Sequence, residues 1–167
     1  LGPDRWRRLV KPLYRKLYRK VKDTGKIAIN HVCGSVVDIM PDLAEIGLDV
    51  LESVQTEARG MNPYTLKRDF GADITFWGGL GSQSIIPFGT PDDLREEIRN
   101  LTSRMSDGGG YIVACAKALQ AGTPVENAAA ILEEFVAAGE GPAVQPPADP
   151  PAPNPPANDP RAAGKGS

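Results

Sequence analysis

The 167-residue chain is 41% hydrophobic and carries a net charge of −2, a balance that suits a soluble globular protein and not a dedicated nucleic-acid binder. No apolar run approaches the roughly 18–20 residues needed to span a bilayer, and the opening LGPDRWRRLVKP lacks the apolar centre of a signal peptide. Two cysteines are too few for a disulfide scaffold, so reduced thiols and a cytoplasmic setting are expected. The segment 140–167 holds nine of the sixteen prolines and no aromatic residue; it cannot bury enough apolar surface to offset chain entropy and reads as a disordered tail. That leaves residues 1–139 as the folding unit. The chain begins with Leu1, which reads as a processed product or as part of something longer.

In chain order, nine of the nineteen basic residues fall between Arg5 and Lys22. Trp6, Val10, Leu13, Leu17 and Val21 recur there at helical spacing. Pro12 cannot sit inside a regular helix, so one helix to about residue 10 and a second starting at Pro12 are expected. Their basic face reads as a solvated outer surface and not as a phosphate or membrane site, because later segments are acidic enough to balance it. Residues 26–32 (KIAINHV) form a first strand between Thr24-Gly25 and Cys33-Gly34. Ser35 caps a helix to about residue 46, closed by Gly47. Residues 48–54 (LDVLESV) are a second strand. Asn62-Pro63 starts a helix to about residue 70. Residues 73–77 (DITFW) are a third strand, ended by Gly78-Gly79. Thr90 caps a helix over 91–105 with Leu94, Ile98, Leu101 and Met105 as its apolar stripe. Gly108, Gly109 and Gly110 stand before the fourth strand, 111–116 (YIVACA), at the wrong end of a sheet for a phosphate loop; they read as a tight connection. Thr123 caps a last helix over 124–138.

Strands alternating with helices imply right-handed crossovers and a parallel sheet, so the fold class is α/β. The strands read as mostly apolar on both faces. Two architectures suit four such units: a small open doubly wound sheet, or half of an eight-stranded barrel of about 250 residues. Both place chemistry at the carboxyl ends of the strands.

The first strand ends in His31-Val32-Cys33-Gly34. Residues two apart share a face of a strand, so an imidazole and a thiol stand side by side. Zinc takes this nitrogen–sulfur set at about 2.0–2.3 Å; the blander alternative is a buried thiol beside a histidine satisfying a local hydrogen bond. His31 is the only histidine. Gln55, after the second strand, can orient a polar substrate group, and Glu52 has the opposite parity. Trp77, Gly78 and Gly79 offer a ring and bare backbone to a ligand, although the glycines alone could serve only the turn. Cys115 and Lys117 are two apart on the fourth strand; a lysine there suits a polar site mouth better than a core.

The strings HVCGSVVDIMPDLAEIGLDVLESVQTEARGMNP, LKRDFG, ITFWGG, PFGTPDDLREEI, GGGYI and TPVENAAAILEEF follow one another as in the uroporphyrinogen decarboxylase superfamily. The chain resembles that family over residues 4–138, closest to its corrinoid-dependent methyltransferase-like branch. The resemblance implies a TIM barrel of which this chain is the C-terminal half, strands five to eight. Nothing in residues 1–25 resembles the arginine-rich motif or the aspartate of the true decarboxylases, so the amino-terminal half is expected to be absent from this chain.

The zinc-dependent members of the branch hold their metal by the His and Cys of an H-x-C-G motif and by a further Cys after strand eight. The resemblance therefore implies His31 and Cys33 as ligands. The third position aligns with Lys117, while Cys115 lies two residues earlier, about 6–7 Å down the strand, as the candidate third ligand. Zinc would activate a thiol that takes a methyl group from a separate corrinoid protein. Without zinc, His31 could act as acid or base and Lys117 could hold an anionic group. The alternatives are a decarboxylase of porphyrin (haem) biosynthesis needing no cofactor, and a non-catalytic half-barrel that assembles through its open edges with itself or a partner. No nucleic-acid or membrane partner is expected.

Overall fold

The computed structural model describes residues 2–140; the proline-rich segment beyond Glu140 lies outside the described residues. Two helices open the chain, α1 (Pro3–Leu9) and α2 (Lys11–Lys22). Each has proline in its first turn, where the missing N–H has no helical partner to lose. The join falls at Val10, as Pro12 demands. The buried side keeps Trp6 and Val21 of the expected stripe but not Leu13 and Leu17. Trp6, Tyr14 and Val21 pack on the core with Tyr18, whereas Leu13 and Leu17 are exposed. The basic face is also more than a solvated surface. Lys11 donates to Asp42 and Glu45, Arg7 to Asp42, and Arg15 to Glu45.

Four parallel strands make one sheet in the order β1 (Ile29–His31), β2 (Val50–Val54), β3 (Thr75–Leu80) and β4 (Tyr111–Cys115). β1 is shorter than the sequence suggests: only Ile29, Asn30 and His31 stand in ladder register with β2, although the Ala28 carbonyl accepts from Val50 and the Val32 amide donates to the Glu52 carbonyl at its two ends. β3 runs through Gly78-Gly79 to Leu80, paired with Gly78↔Val113 and Gly79↔Ala114, so the glycines lie within the strand instead of ending it.

Between the strands, α3 (Met40–Glu45) is preceded by a short 3-10 turn (Val37–Ile39). Ser35 does not cap it; its hydroxyl donates to the Arg59 carbonyl. Asn62 caps α4 (Pro63–Phe70) through the Thr65 amide. A short helix absent from the sequence reading, α5 (Ile85–Phe88), precedes α6 (Pro91–Met105). Thr90 and Asp93 close a capping box on α6, and its whole predicted stripe is buried. The triple glycine joins α6 to β4, where Lys67 donates to the Gly109 carbonyl. α7 (Val125–Gly139) starts from Pro124, and Thr123 donates to the Gln120 carbonyl instead of capping it. Arg99 clamps Glu134 through two bonds of 2.8 and 2.9 Å, and Arg95 meets Glu133, fixing α7 along α6.

The two faces of the sheet differ. Leu51 and Phe76 are fully buried beneath the helices. On the opposite face, paired across the strands, stand His31, Glu52, Trp77 and Ile112, with Ile29 one step down β1. Ile29 is 51% exposed and Ile112 40%. The expectation of strands covered on both sides is therefore corrected. Helices on one face only are the geometry of a barrel wall, not of a doubly wound sheet, which has helices on both. Four successive parallel β/α units thus form half of a TIM-barrel wall. Among the described residues, no helix is long and apolar enough to cross a membrane.

Candidate functional site

The carboxyl ends of β1 and β2 bring three chemically active side chains into line. His31 and Glu52 are direct register partners on adjacent strands, and His31 Nδ1 lies 3.2 Å from Glu52 Oε2. On the other side of the ring, His31 Nε2 lies 3.3 Å from Cys33 Sγ. Gly34, which follows, takes φ +84, a conformation open to glycine and costly for other residues. Its amide donates to Gln55 Oε1 at 2.9 Å. Gln55 is 8% exposed, so its carbonyl holds the loop that carries Cys33. Both His31 and Cys33 are exposed.

Trp77 stands next to Glu52 in the same cross-strand row, half-buried. Gly78 accepts a 2.8 Å hydrogen bond from the Tyr111 hydroxyl at its carbonyl. Gly79 is held where an added Cβ would stand 3.1 Å from that hydroxyl and 3.3 Å from Leu101. Gly79 thus lets β3 sit close upon α6 and β4, while Gly78, where an added Cβ would stand 3.0 Å from the Val54 amide nitrogen, lets it sit close upon β2.

The other candidates are not brought to the pair. Tyr111, Val113 and Cys115 alternate onto the face of β4 that packs against the core, while Ile112 points to the open face. Cys115 therefore stands on the face away from His31, and burial pushes its thiol pKa up. Lys117 lies two residues past β4, with its amide donating to Ser82 Oγ at 2.8 Å. β1 and β4 are opposite edges of the sheet, about 14 Å apart along it at roughly 4.8 Å per strand.

The donor set can be tested against zinc. At Zn–N and Zn–S lengths of about 2.0 and 2.3 Å, a tetrahedral angle separates the two ligand atoms by about 3.5 Å. The observed 3.3 Å between Nε2 and Sγ fits one shared ion. Among the described residues, no three His, Cys, Asp or Glu side chains are grouped to hold a metal. The fit is thus that of two ligands.

Sequence reasoning passed over Glu52, since its role depends on the register that sets it opposite His31. It also passed over Ser82, which lies in no recognisable motif and acts through the β4 terminus.

Parallel β/α units with an imidazole–thiol pair at the strand ends define a barrel-type α/β protein with a candidate metal or thiol site. The model of the uroporphyrinogen decarboxylase (URO-D) family matches residues 1–137, and the chain belongs to that family. A relative from Methanosarcina mazei named methylated-thiol–coenzyme M methyltransferase is 28% identical over 127 residues, covering 76% of this chain and 31% of the relative. A solved methyltransferase, also from Methanosarcina mazei, superposes with a TM-score of 0.64 at 24% identity, covering 82% of this chain and 38% of that one. The chain thus spans about a third of the length of these proteins.

Proposed function

We propose that this chain contributes the thiol-activating side of a methyl-transfer site, with His31 and Cys33 as two ligands of a zinc ion. The observation that carries the reading is the 3.3 Å approach of Nε2 to Sγ at the carboxyl end of β1, the end of the sheet where this fold performs chemistry. The methyltransferase relative adds support, since its name specifies a methylated thiol.

Zinc bound there would act as a Lewis acid and keep a substrate thiol as thiolate, the nucleophilic form. The chain's own residues supply the rest. Gln55 holds the Cys33–Gly34 loop in place through the Gly34 amide. Glu52 flanks the imidazole on its Nδ1 side. Trp77 gives the open face an aromatic wall beside Glu52. The third protein ligand comes from outside this cluster, and the methyl donor would be a methyl-corrinoid carried by a partner protein.

The test is zinc content by elemental analysis after purification without chelator. Near-stoichiometric zinc in the wild type, lost in His31→Ala and in Cys33→Ser but kept in Cys115→Ser, is expected. Zinc that is absent from the wild type, or unchanged in both ligand variants, would refute the reading.

A second reading, assembly through the open face, is favoured by the exposed Ile29 and Ile112 on that face and by the outer edges of β1 and β4, which have no strand partner among the described residues. Light scattering decides it: a monodisperse monomer at high concentration refutes it.

A further inference from the structure

We infer that Glu52 is a positioning residue that sets the tautomer of His31. The ring is flanked on both sides: Glu52 Oε2 stands 3.2 Å from Nδ1, and Cys33 Sγ stands 3.3 Å from Nε2. A carboxylate only accepts hydrogen bonds, so a neutral ring beside it gains by carrying its proton on Nδ1. That leaves the Nε2 lone pair aimed at the side of the ring where Cys33 lies. A ligating imidazole needs a bare nitrogen on the metal side, and a carboxylate on its other N–H fixes the ring orientation and raises its basicity.

The backbone makes the arrangement rigid at its base. His31 and Glu52 are register partners on neighbouring parallel strands, and Glu52 is in turn paired with Trp77 on β3. The Glu52 side chain is 33% exposed on the open face, so shortening it opens no cavity in the core. Its purpose rests on the zinc reading; its geometry does not.

The test separates the two. His31 is the only histidine in the chain, so its ring nitrogens give unambiguous long-range nitrogen–proton NMR signals in the full chain without metal. In the wild type the proton is expected on Nδ1. In Glu52→Ala it is expected to move largely to Nε2, with the backbone amide spectrum otherwise preserved. Glu52→Gln, whose side-chain oxygen can still accept, is expected to keep Nδ1–H. Zinc affinity, read by competition with a chromophoric chelator, is expected to fall 10–100-fold in Glu52→Ala and less in Glu52→Gln. A wild-type ring protonated on Nε2, or a tautomer indifferent to Glu52→Ala, overturns the inference. The expected tautomers in a wild type that binds no zinc would uphold the positioning role and refute the zinc reading alone.

Discussion

Asp42 is the point where the opening helices are tied to the β/α units, and its replacement gives a sharp test of that docking. Its carboxylate accepts from Lys11 Nζ at 2.6 Å and Arg7 Nε at 2.9 Å, and the residue is only 8% exposed. The Lys11 side chain is 15% exposed, that of Arg7 43%. A hydrogen bond to a charged group contributes about 1.5–3 kcal/mol, whereas solvent screens the more open Arg7 contact heavily. Asp42→Ala should therefore cost about 2 kcal/mol, nearly all through Lys11. With an unfolding entropy of about 2.1 cal/mol/K per residue over roughly 140 residues, that lowers the melting temperature by about 7 °C. The pH dependence has a definite sign. The hydrogen bond from Lys11 is the main cause holding the Asp42 pKa below its ordinary value, against burial, with Arg7 adding to it. A depressed carboxylate stabilises the fold above its unfolded pKa, about 3.9, and loses that contribution as pH falls through the folded value. Thermal melts of wild type, Asp42→Ala, Lys11→Met and the double variant at pH 7 and at pH 3 measure both. A gap between wild type and Asp42→Ala under about 2 °C at pH 7, or one that does not shrink at low pH, would refute the reasoning. So would strictly additive single and double variants.

Three further outcomes follow from the geometry. Asn127 is 1% exposed and donates to the carbonyls of Ile86 and Gly89 at 3.0 and 2.8 Å; Asn127→Ala leaves both acceptors unpaired and should cost about 2–4 kcal/mol in urea unfolding. Leu101→Ala, at a fully buried site beside Gly79, should cost about 2–5 kcal/mol. An aromatic disulfide reagent should modify exposed Cys33 rapidly in the native state and half-buried Cys115 only slowly, with mass spectrometry of the peptides as the readout.

The sequence carried the fold where a helix start has a local cause. Asn62-Pro63, Thr90-Pro91 and the Leu94–Ile98–Leu101–Met105 stripe fix α4 and α6 within their own segments. It failed where the deciding partner is remote. Ser35 looks like a cap, but its hydroxyl finds the distant Arg59 carbonyl; Thr123 fails for a local reason, its hydroxyl turning back to the Gln120 carbonyl three residues earlier. Leu13 and Leu17 look buried, yet ion pairs to Asp42 and Glu45 accompany a different roll of α2, which turns Tyr14 and Tyr18 inward. The site divides in the same way. The nearness of His31 and Cys33 was legible in their spacing, although Cys33 lies past the end of β1 and its loop is held by Gln55. Cys115 is turned away from the pair by which face of β4 meets the core, and that depends on α6.

The row His31, Glu52, Trp77, Ile112 carries a consequence for how such a site can work. Its members differ in chemistry but share one face, and helices do not cover that face among the described residues. Zinc activation of a thiol gains from a dry surrounding, because a low dielectric strengthens the contacts that hold the thiolate. The exposed Ile112 at the end of the row and Ile29 beside it provide apolar surface but no enclosure. On the proposed zinc reading, thiol activation at His31 and Cys33 would therefore need a second surface laid over the open face, whereas the two ligand atoms already stand at a zinc-compatible distance without it. The two properties should separate by experiment: zinc bound by this chain in isolation, and methyl transfer only when the face is covered. Methyl transfer to a thiol by the uncovered, monomeric chain would refute that dependence.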